Sequence, residues 1–388
     1  MSFGTLVVIV LAGLGGPLLG IAPRRFVPVV IGEILAGILV GPELLNAVDP
    51  ANTTVSFLGE IGFAMLMLTA GIHLPLRDGR LAASLRGGAV LAAIVGVLAV
   101  PAGLLAAAIA GTGHAAVYAV VLASGSAAVL LPALEETGIA GADVMTVMAQ
   151  VAIANVVTIL LVPIVLQPGR VGHAVLGGTL VAVAVLALFG LARQLSTRDW
   201  VQRVRDLSKQ RHWALDLRLS LLVLFLLAWI AQKGGASILF AGFAAGLMVA
   251  AIGGPKRLST QMRGVAEGFF MPLYFVVLGA HLDLSGLVSH PAMLALAAAL
   301  AALNIVIRLI ATVLTGRPAA AALAASAQLG VPSAVTSLGL VEHVLSAAVA
   351  TAIVAAGLVS LGACTLGVEQ LVRRYAPAAA KAQVPAAS

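Results

Sequence analysis

The sequence predicts an all-α integral membrane protein of about thirteen spanning helices in two inverted repeats, and three observations carry that prediction. First, of 388 residues 61% are hydrophobic and only 10% charged, with a mean hydropathy of +1.12. A soluble domain has roughly a quarter of its residues charged, so this chain cannot cover a globule with polar groups. Second, the apolar residues fall into segments close to the roughly 20 residues that cross a bilayer as a helix. Third, the chain resembles itself at an offset of about 208 residues.

The first segment, 3–22, could be a signal peptide, but Arg24 and Arg25 follow it instead of preceding it, which marks an uncleaved helix. Spans follow at 26–45, 54–74, 87–111, 114–134, 142–166 and 171–192. Beyond a long polar stretch at 192–213 come 214–232, 235–253, 264–284, 291–315, 318–341 and 345–371. Basic residues gather after odd-numbered spans: Arg77, Arg80 and Arg86, the run from Arg193 to Arg211, then Lys256, Arg257, Arg263, Arg317, Arg373 and Arg374. After even-numbered spans stand only Arg170 and Lys233. The bias predicts a multi-pass plasma-membrane protein with its N-terminus outside and its C-terminus in the cytoplasm. It also explains the net charge of +7 as loop charge facing anionic lipid, with no call for a nucleic-acid partner. The stretch 192–213, basic and carrying Trp200 and Trp213, reads as a linker helix lying on the cytoplasmic leaflet. The last residues, 373–388, read as a disordered tail. A single cysteine, Cys364, excludes an intrachain disulfide.

The repeat is carried by two matches. "LTAGIHLPL" (68–76) aligns with "VLGAHLDL" (277–284), placing Gly71 over Gly279 and His73 over His281. "LAGILVG" (35–41) aligns with "AAGLMVA" (244–250) at nearly the same offset. Two matched pairs at almost one offset argue against chance similarity between small-residue helices. The predicted organisation is a first repeat of about six spans (1–166), a connector span with its cytosolic linker (167–213), and a second repeat (214–372). An odd connector inverts the second copy, and inverted repeats are the signature of secondary transporters, whose site lies near the midplane where the halves meet.

"IGEILAGILVGP" (31–42), "LGEIGFAMLMLTAGIHL" (58–74) and "FMPLYFVVLGAHLDL" (270–284) resemble the second, third and tenth spans of the bacterial monovalent cation–proton antiporter family. The resemblance covers nearly the whole chain. It implies a core domain with two crossed, partly unwound helices, a dimerisation domain giving a homodimer, and elevator-like alternating access. Discontinuous helices need breakers, and the fifth span supplies Ser124, Gly125, Ser126 and Pro132 while the twelfth supplies Gly330, Val331 and Pro332. Ordinary kinks and small-residue packing are the competing explanation.

Measured against that family, the site is altered. Its members carry one or two acids in the sixth span, as Ile-Asp-Asp-Val or Gln-Asp-Ile; this chain reads Ile153-Ala154-Asn155-Val156. An aspartate binds a cation or a proton in competition, whereas an asparagine offers a carbonyl oxygen and cannot take the proton. The usual Thr-Asp or Thr-Ser of the fifth span is Gly125-Ser126, and the Arg-Gly-Glu of the twelfth is Leu329-Gly330-Val331. Inside the membrane remain Arg308, Glu33 and Glu60. Arg308 lies toward the inner end of its span, so it either snorkels or finds a partner: Glu60, Glu33, a helix C-terminus or a bound anion. Capping or bonding to unwound backbone is the main role read for the two glutamates, with proton carriage as the other. Gln150 and Asn304 stand near Asn155 and Arg308 along their helices, as ligands or as interhelical hydrogen bonders.

Three functions compete at this point. The leading one is a secondary transporter exchanging Na⁺ or K⁺ for protons, its cation at Asn155, Ser124, Ser126 and backbone carbonyls. The second is a carrier of a small organic anion or hydrophobic acid recognised by Arg308. The third is a transporter fold repurposed for sensing or membrane-embedded catalysis. No phosphate loop, Cys/His metal spacing or nucleophile–base pair occurs, so neither an enzyme nor a cofactor is predicted.

Overall fold

The computed structural model describes residues 2–20, 29–72, 79–126, 129–130, 134, 139, 141–196, 198–211, 213–252 and 256–382. Those residues form helices and connecting turns, with no strand among them. In chain order the helices are α1 (Phe3–Gly13), α2 (Gly15–Gly20), α3 (Val29–Val40), α4 (Thr53–Ile72), α5 (Gly79–Ala110), α6 (Ala115–Ala123), α7 (Ala142–Leu166), α8 (Val171–Ser196) and α9 (Asp199–Gln210). There follow α10 (Leu215–Gly234), α11 (Ile238–Ile252), α12 (Lys256–Val265), α13 (Met271–Ala280), α14 (Leu284–Ser289), α15 (Pro291–Leu314), α16 (Ala319–Ala324), α17 (Gly330–Val341) and α18 (Ala347–Ala382).

Among the described residues, eight helices are long and apolar enough to cross a membrane, and shorter apolar helices at Phe3–Leu19, Val29–Val40, Ile238–Ile252 and Gly330–Val341 account for further predicted spans. The one left, 114–134, starts with α6 and runs as helix only to Ala123, where the chain turns extended. The basic linker is helical as α9, with Trp200 59% exposed on it and the Arg211 guanidinium 5.6 Å from the Trp213 ring. Between α12 and α13 the chain makes a π-turn at Ala266–Phe270. Pro272, at the start of α13, has no amide hydrogen to give, and the wider turn before it accommodates the lost bond.

The helices pack as two groups. One gathers α5, α6, α7, α15, α16, α17 and α18; the other gathers α1 to α4 with α8 and α10 to α13. The repeat is visible in how the second group crosses. A Cβ built on Gly246 of α11 would lie 2.8 Å from Gly71 Cα of α4, and one on Gly279 of α13 would lie 3.0 Å from Gly37 Cα of α3. These are the four glycines aligned by the internal match, and the two contacts correspond: Gly71 meets Gly246 as its counterpart Gly279 meets Gly37. Backbone-to-backbone approach of this kind substitutes for the hydrophobic drive that lipid does not provide.

At one end of the first group, Asp143 in the first turn of α7 accepts from Arg317 Nη1 at 2.7 Å and from the Tyr375 hydroxyl at 2.5 Å. The helix that carries Asn155 is thereby tied to the loop after α15 and to the end of α18.

Gly246→Ala places a methyl against the α4 backbone and should lower unfolding stability by about 1–3 kcal/mol, the range for overpacking. Gly96→Ala, on α5 with nothing within 4 Å of its Cβ position, should leave the melting temperature unchanged or raised. Thermal unfolding of the purified protein in detergent compares them; equal melting temperatures would show that the glycine crossings are not close-packed.

Candidate functional site

Two helices of the first group stop inside the protein. α6 ends at Ala123, and Ser124 is extended (φ −69, ψ 160) with residues 125–126 outside any helix. α16 ends at Ala324, residues 325–329 are non-helical, and α17 begins at Gly330. A helix that ends leaves its last carbonyls without intrahelical partners and presents the negative end of its dipole. Here two such ends meet, and Arg308 of α15 lies between them.

Arg308 is 2% exposed. Its Nε donates to Ala325 O at 2.9 Å, its Nη1 to Leu122 O and Asn304 O, each at 3.1 Å, and to Asn304 Oδ1; its Nη2 donates to Ser124 O. The fixed fork of donors fits this array, since one planar guanidinium reaches carbonyls on both broken helices. Gln328 completes it, donating from Nε2 to Val121 O at 2.6 Å and to Asn304 Oδ1 at 2.9 Å. Asn304 in turn donates to Ser326 O and Ser360 Oγ, each at 2.9 Å. Cys364 Sγ donates to Ala324 O. Of the four partners open to Arg308 from sequence, the helix C-terminus is the one found, doubled. Snorkelling is excluded because the guanidinium is buried.

The remaining sequence candidates divide. Asn155 is 4% exposed on α7, and its amide makes no hydrogen bond among the described residues. One turn before it, Val151 packs on the break: a Cβ on Gly125 would lie 3.0 Å from Val151 Cγ1. The turn of α7 that precedes Asn155 thus packs on the break. Gln150 is buried, and its Oε1 has no hydrogen-bond partner among the described residues. Ser124 turns its hydroxyl back onto Val121 O at 2.7 Å, and buried Ser126 accepts on its carbonyl from Val129 N and Leu130 N. Gly125 lies in the break as expected. Gly330 and Pro332 do not make the second break; they follow it, in the first turn of α17, where a proline's missing N–H is harmless. Pro132 lies outside the described residues.

Glu60 is not at the crossing. It lines a small cleft of about 90 Å³ between α4, α13 and α17, with Ser56, Phe63, Tyr274, His281 and Ser337. Glu33 is buried on α3 against α2, where a Cβ on Gly16 would lie 3.0 Å from its Cγ. Neither glutamate bonds to the unwound backbone among the described residues. Sequence reading missed Gln328, Ser326 and Ser360; the signal available was their polarity within Ala-rich stretches, which does not say where they point. Chemically, the crossing holds one buried guanidinium bonded to carbonyls of both broken helices, and the neighbouring α7 carries the neutral amides of Asn155 and Gln150.

The comparisons with known proteins agree with this architecture. The pattern of the transmembrane sodium/hydrogen exchanger family matches residues 6–374, and the chain belongs to that family. The YjbQ protein of Bacillus subtilis is 24% identical over 306 residues, covering 73% of this chain and 48% of that protein. The glutathione-regulated potassium-efflux system protein KefC of Klebsiella pneumoniae is 26% identical over 284 residues, 70% of this chain and 44% of KefC. The chain thus spans about half the length of these two relatives. The Na⁺/H⁺-K⁺ antiporter GerN of Bacillus cereus is 22% identical over 266 residues, 67% of each chain. Among solved structures, the sodium proton antiporter MjNhaP1 of Methanocaldococcus jannaschii is similar with a TM-score of 0.64 at 17% identity, over 96% of this chain and 98% of that one. That likeness establishes the fold.

Arg308→Gln leaves several buried carbonyls without a donor and should destabilise the protein by about 3 kcal/mol or more. Arg308→Lys keeps the charge but loses the fork, and should fall between the two. Melting temperatures in detergent rank the three; an unchanged value for the glutamine variant would show that the half-helix ends do not need this cation.

Proposed function

We propose that this chain is a secondary transporter exchanging a monovalent cation, Na⁺ or K⁺, for protons, and that it binds the cation through neutral oxygens at the broken-helix crossing. The observation that carries the reading is a buried Arg308 bonded to carbonyls, together with an amide at position 155. The positive charge at the crossing is matched by two helix ends, so it does not repel a second cation as a bare guanidinium does. Asn155 then offers a carbonyl oxygen of the kind that replaces a cation's hydration shell. Relatives named for Na⁺, K⁺ and H⁺ exchange support the substrate class.

The N-terminus lies outside in this reading, following the positive-inside bias. The group holding α5 to α7 and α15 to α18 carries the cation past the other group, and copies of the chain associate as a homodimer. An organic anion fits less well, because the guanidinium that was to recognise it already donates to five acceptors.

In proteoliposomes, the native chain should accumulate radioactive Na⁺ or its K⁺ surrogate Rb⁺ when a pH gradient is imposed. Asn155→Ala should abolish uptake. Asn155→Asp should make uptake fall steeply in acid, because a carboxylate loses its cation affinity when it protonates. Absence of Na⁺ and Rb⁺ uptake in native liposomes would overturn the proposal.

A further inference from the structure

Among the described residues, the only buried charged side chains are Glu33 and Arg308, and an amide at position 155 does not titrate in the physiological range. If protons are exchanged, a group elsewhere must bind them. Glu60 stands where such a group could act. Its cleft is formed by α4 and α13 of one helical group and α17 of the other, so it straddles the surface along which the groups would move. Across that surface runs a polar contact, Tyr274 Oη to Ser337 Oγ at 3.2 Å, with Phe63 packed on the Tyr274 ring at 5.2 Å between centroids. Ser337 lies on the half-helix that starts at the crossing.

Glu60 itself has no hydrogen-bond or ionic partner among the described residues. The titratable side chains sharing the cleft are Tyr274 and His281, both from the α13 side. His281 donates from Nδ1 to Val277 O at 2.9 Å, which fixes that tautomer and leaves Nε2 as the nitrogen able to accept. On its other flank Glu60 meets α10 and α11, where Phe225, Trp229, Gln232 and Ile238 bring no charge. A carboxylate with no counter-charge tolerates such walls only while water reaches it; a neutral carboxylic acid can be enclosed.

We propose that Glu60 is the proton-binding group of this transporter, and that its protonation decides whether the cleft between α4, α13 and α17 can close. The proton moves from solvent to a Glu60 carboxylate oxygen and returns to solvent, directly or through His281 Nε2, with no other bond changed. Cation binding at the crossing and proton binding at Glu60 are then separate events, coupled through the sliding surface. The inference rests on the transport reading above.

Two measurements test it. In detergent, dicyclohexylcarbodiimide, which attacks protonated carboxyls in apolar surroundings, should label Glu60 in the native protein, with labelling lost on raising the pH; peptide mass spectrometry locates the adduct. In liposomes, Glu60→Gln should keep cation flux but lose both the proton counterflow seen by a trapped pH dye and the pH dependence of uptake. Glu33→Gln should keep both. Native labelling that misses Glu60, or wild-type counterflow in Glu60→Gln, would overturn the inference while leaving cation transport standing. If native liposomes move no cation at all, the transport reading fails, and the labelling result still decides whether Glu60 holds a proton. A Glu60→Gln protein with an altered melting temperature would be judged by the native labelling, which needs no variant.

Discussion

The structure turns on a cation that has no anion. A buried arginine in a membrane is costly unless its charge is met, and here it is met by dipoles: three carbonyls at the ends of α6 and α16 and two oxygens of Asn304 on its own helix. The relation runs both ways. Two helices can stop in the middle of a membrane protein only if something takes up their last carbonyls, and nothing else at the crossing has enough donors in one plane. Gln328, Asn304, Ser326 and Ser360 extend the same network outward, bonding Val121 O, Ser326 O, Ser360 O and the Ser360 hydroxyl. The network leaves the crossing electrically quiet, which is what allows a neutral amide to stand in for an acid.

Much of this was legible from sequence because it rests on local rules. Composition and segment length depend on the bilayer as solvent, and they located the eight helices long and apolar enough to cross it and four shorter apolar ones. The offset match found Gly37, Gly71, Gly246 and Gly279 because close helix approach admits only the smallest residue, which leaves a recurring mark. Arg308 was conspicuous as a charge in an apolar run. Its partners were not, because backbone carbonyls are present at every residue and a sequence does not say which are unpaired. Helix ends were misplaced for the same reason: Gly330 and Pro332 look like breakers, yet a proline in a first turn begins a helix as readily as it ends one. Glu60 was a candidate partner of Arg308 as one of the few charges inside the spans; the tertiary arrangement sets it in a different cleft, between α4, α13 and α17.

The separation matters for how exchange is organised. Where an acid binds both ions, coupling is competition for one carboxylate. In the proposed mechanism the cation ligand at Asn155 does not titrate over the physiological range, and coupling is mechanical, transmitted between a cargo site and a distant carboxyl. Such coupling is a difference in free energy between two arrangements of the same packed helices, and each ion contributes only through its preference for one of them.

The glycine crossings have a consequence for which part of the molecule can travel. Helices that touch along their backbones have no side-chain cushion to shear against, so α3, α4, α11 and α13 act as a single stiff plate. The face that plate turns to α17 is furnished differently, with aromatic rings and one hydroxyl pair that can part and re-form. In engineering terms the crossed glycines would make a stator for the proposed motion, with the α17 face as a bearing surface.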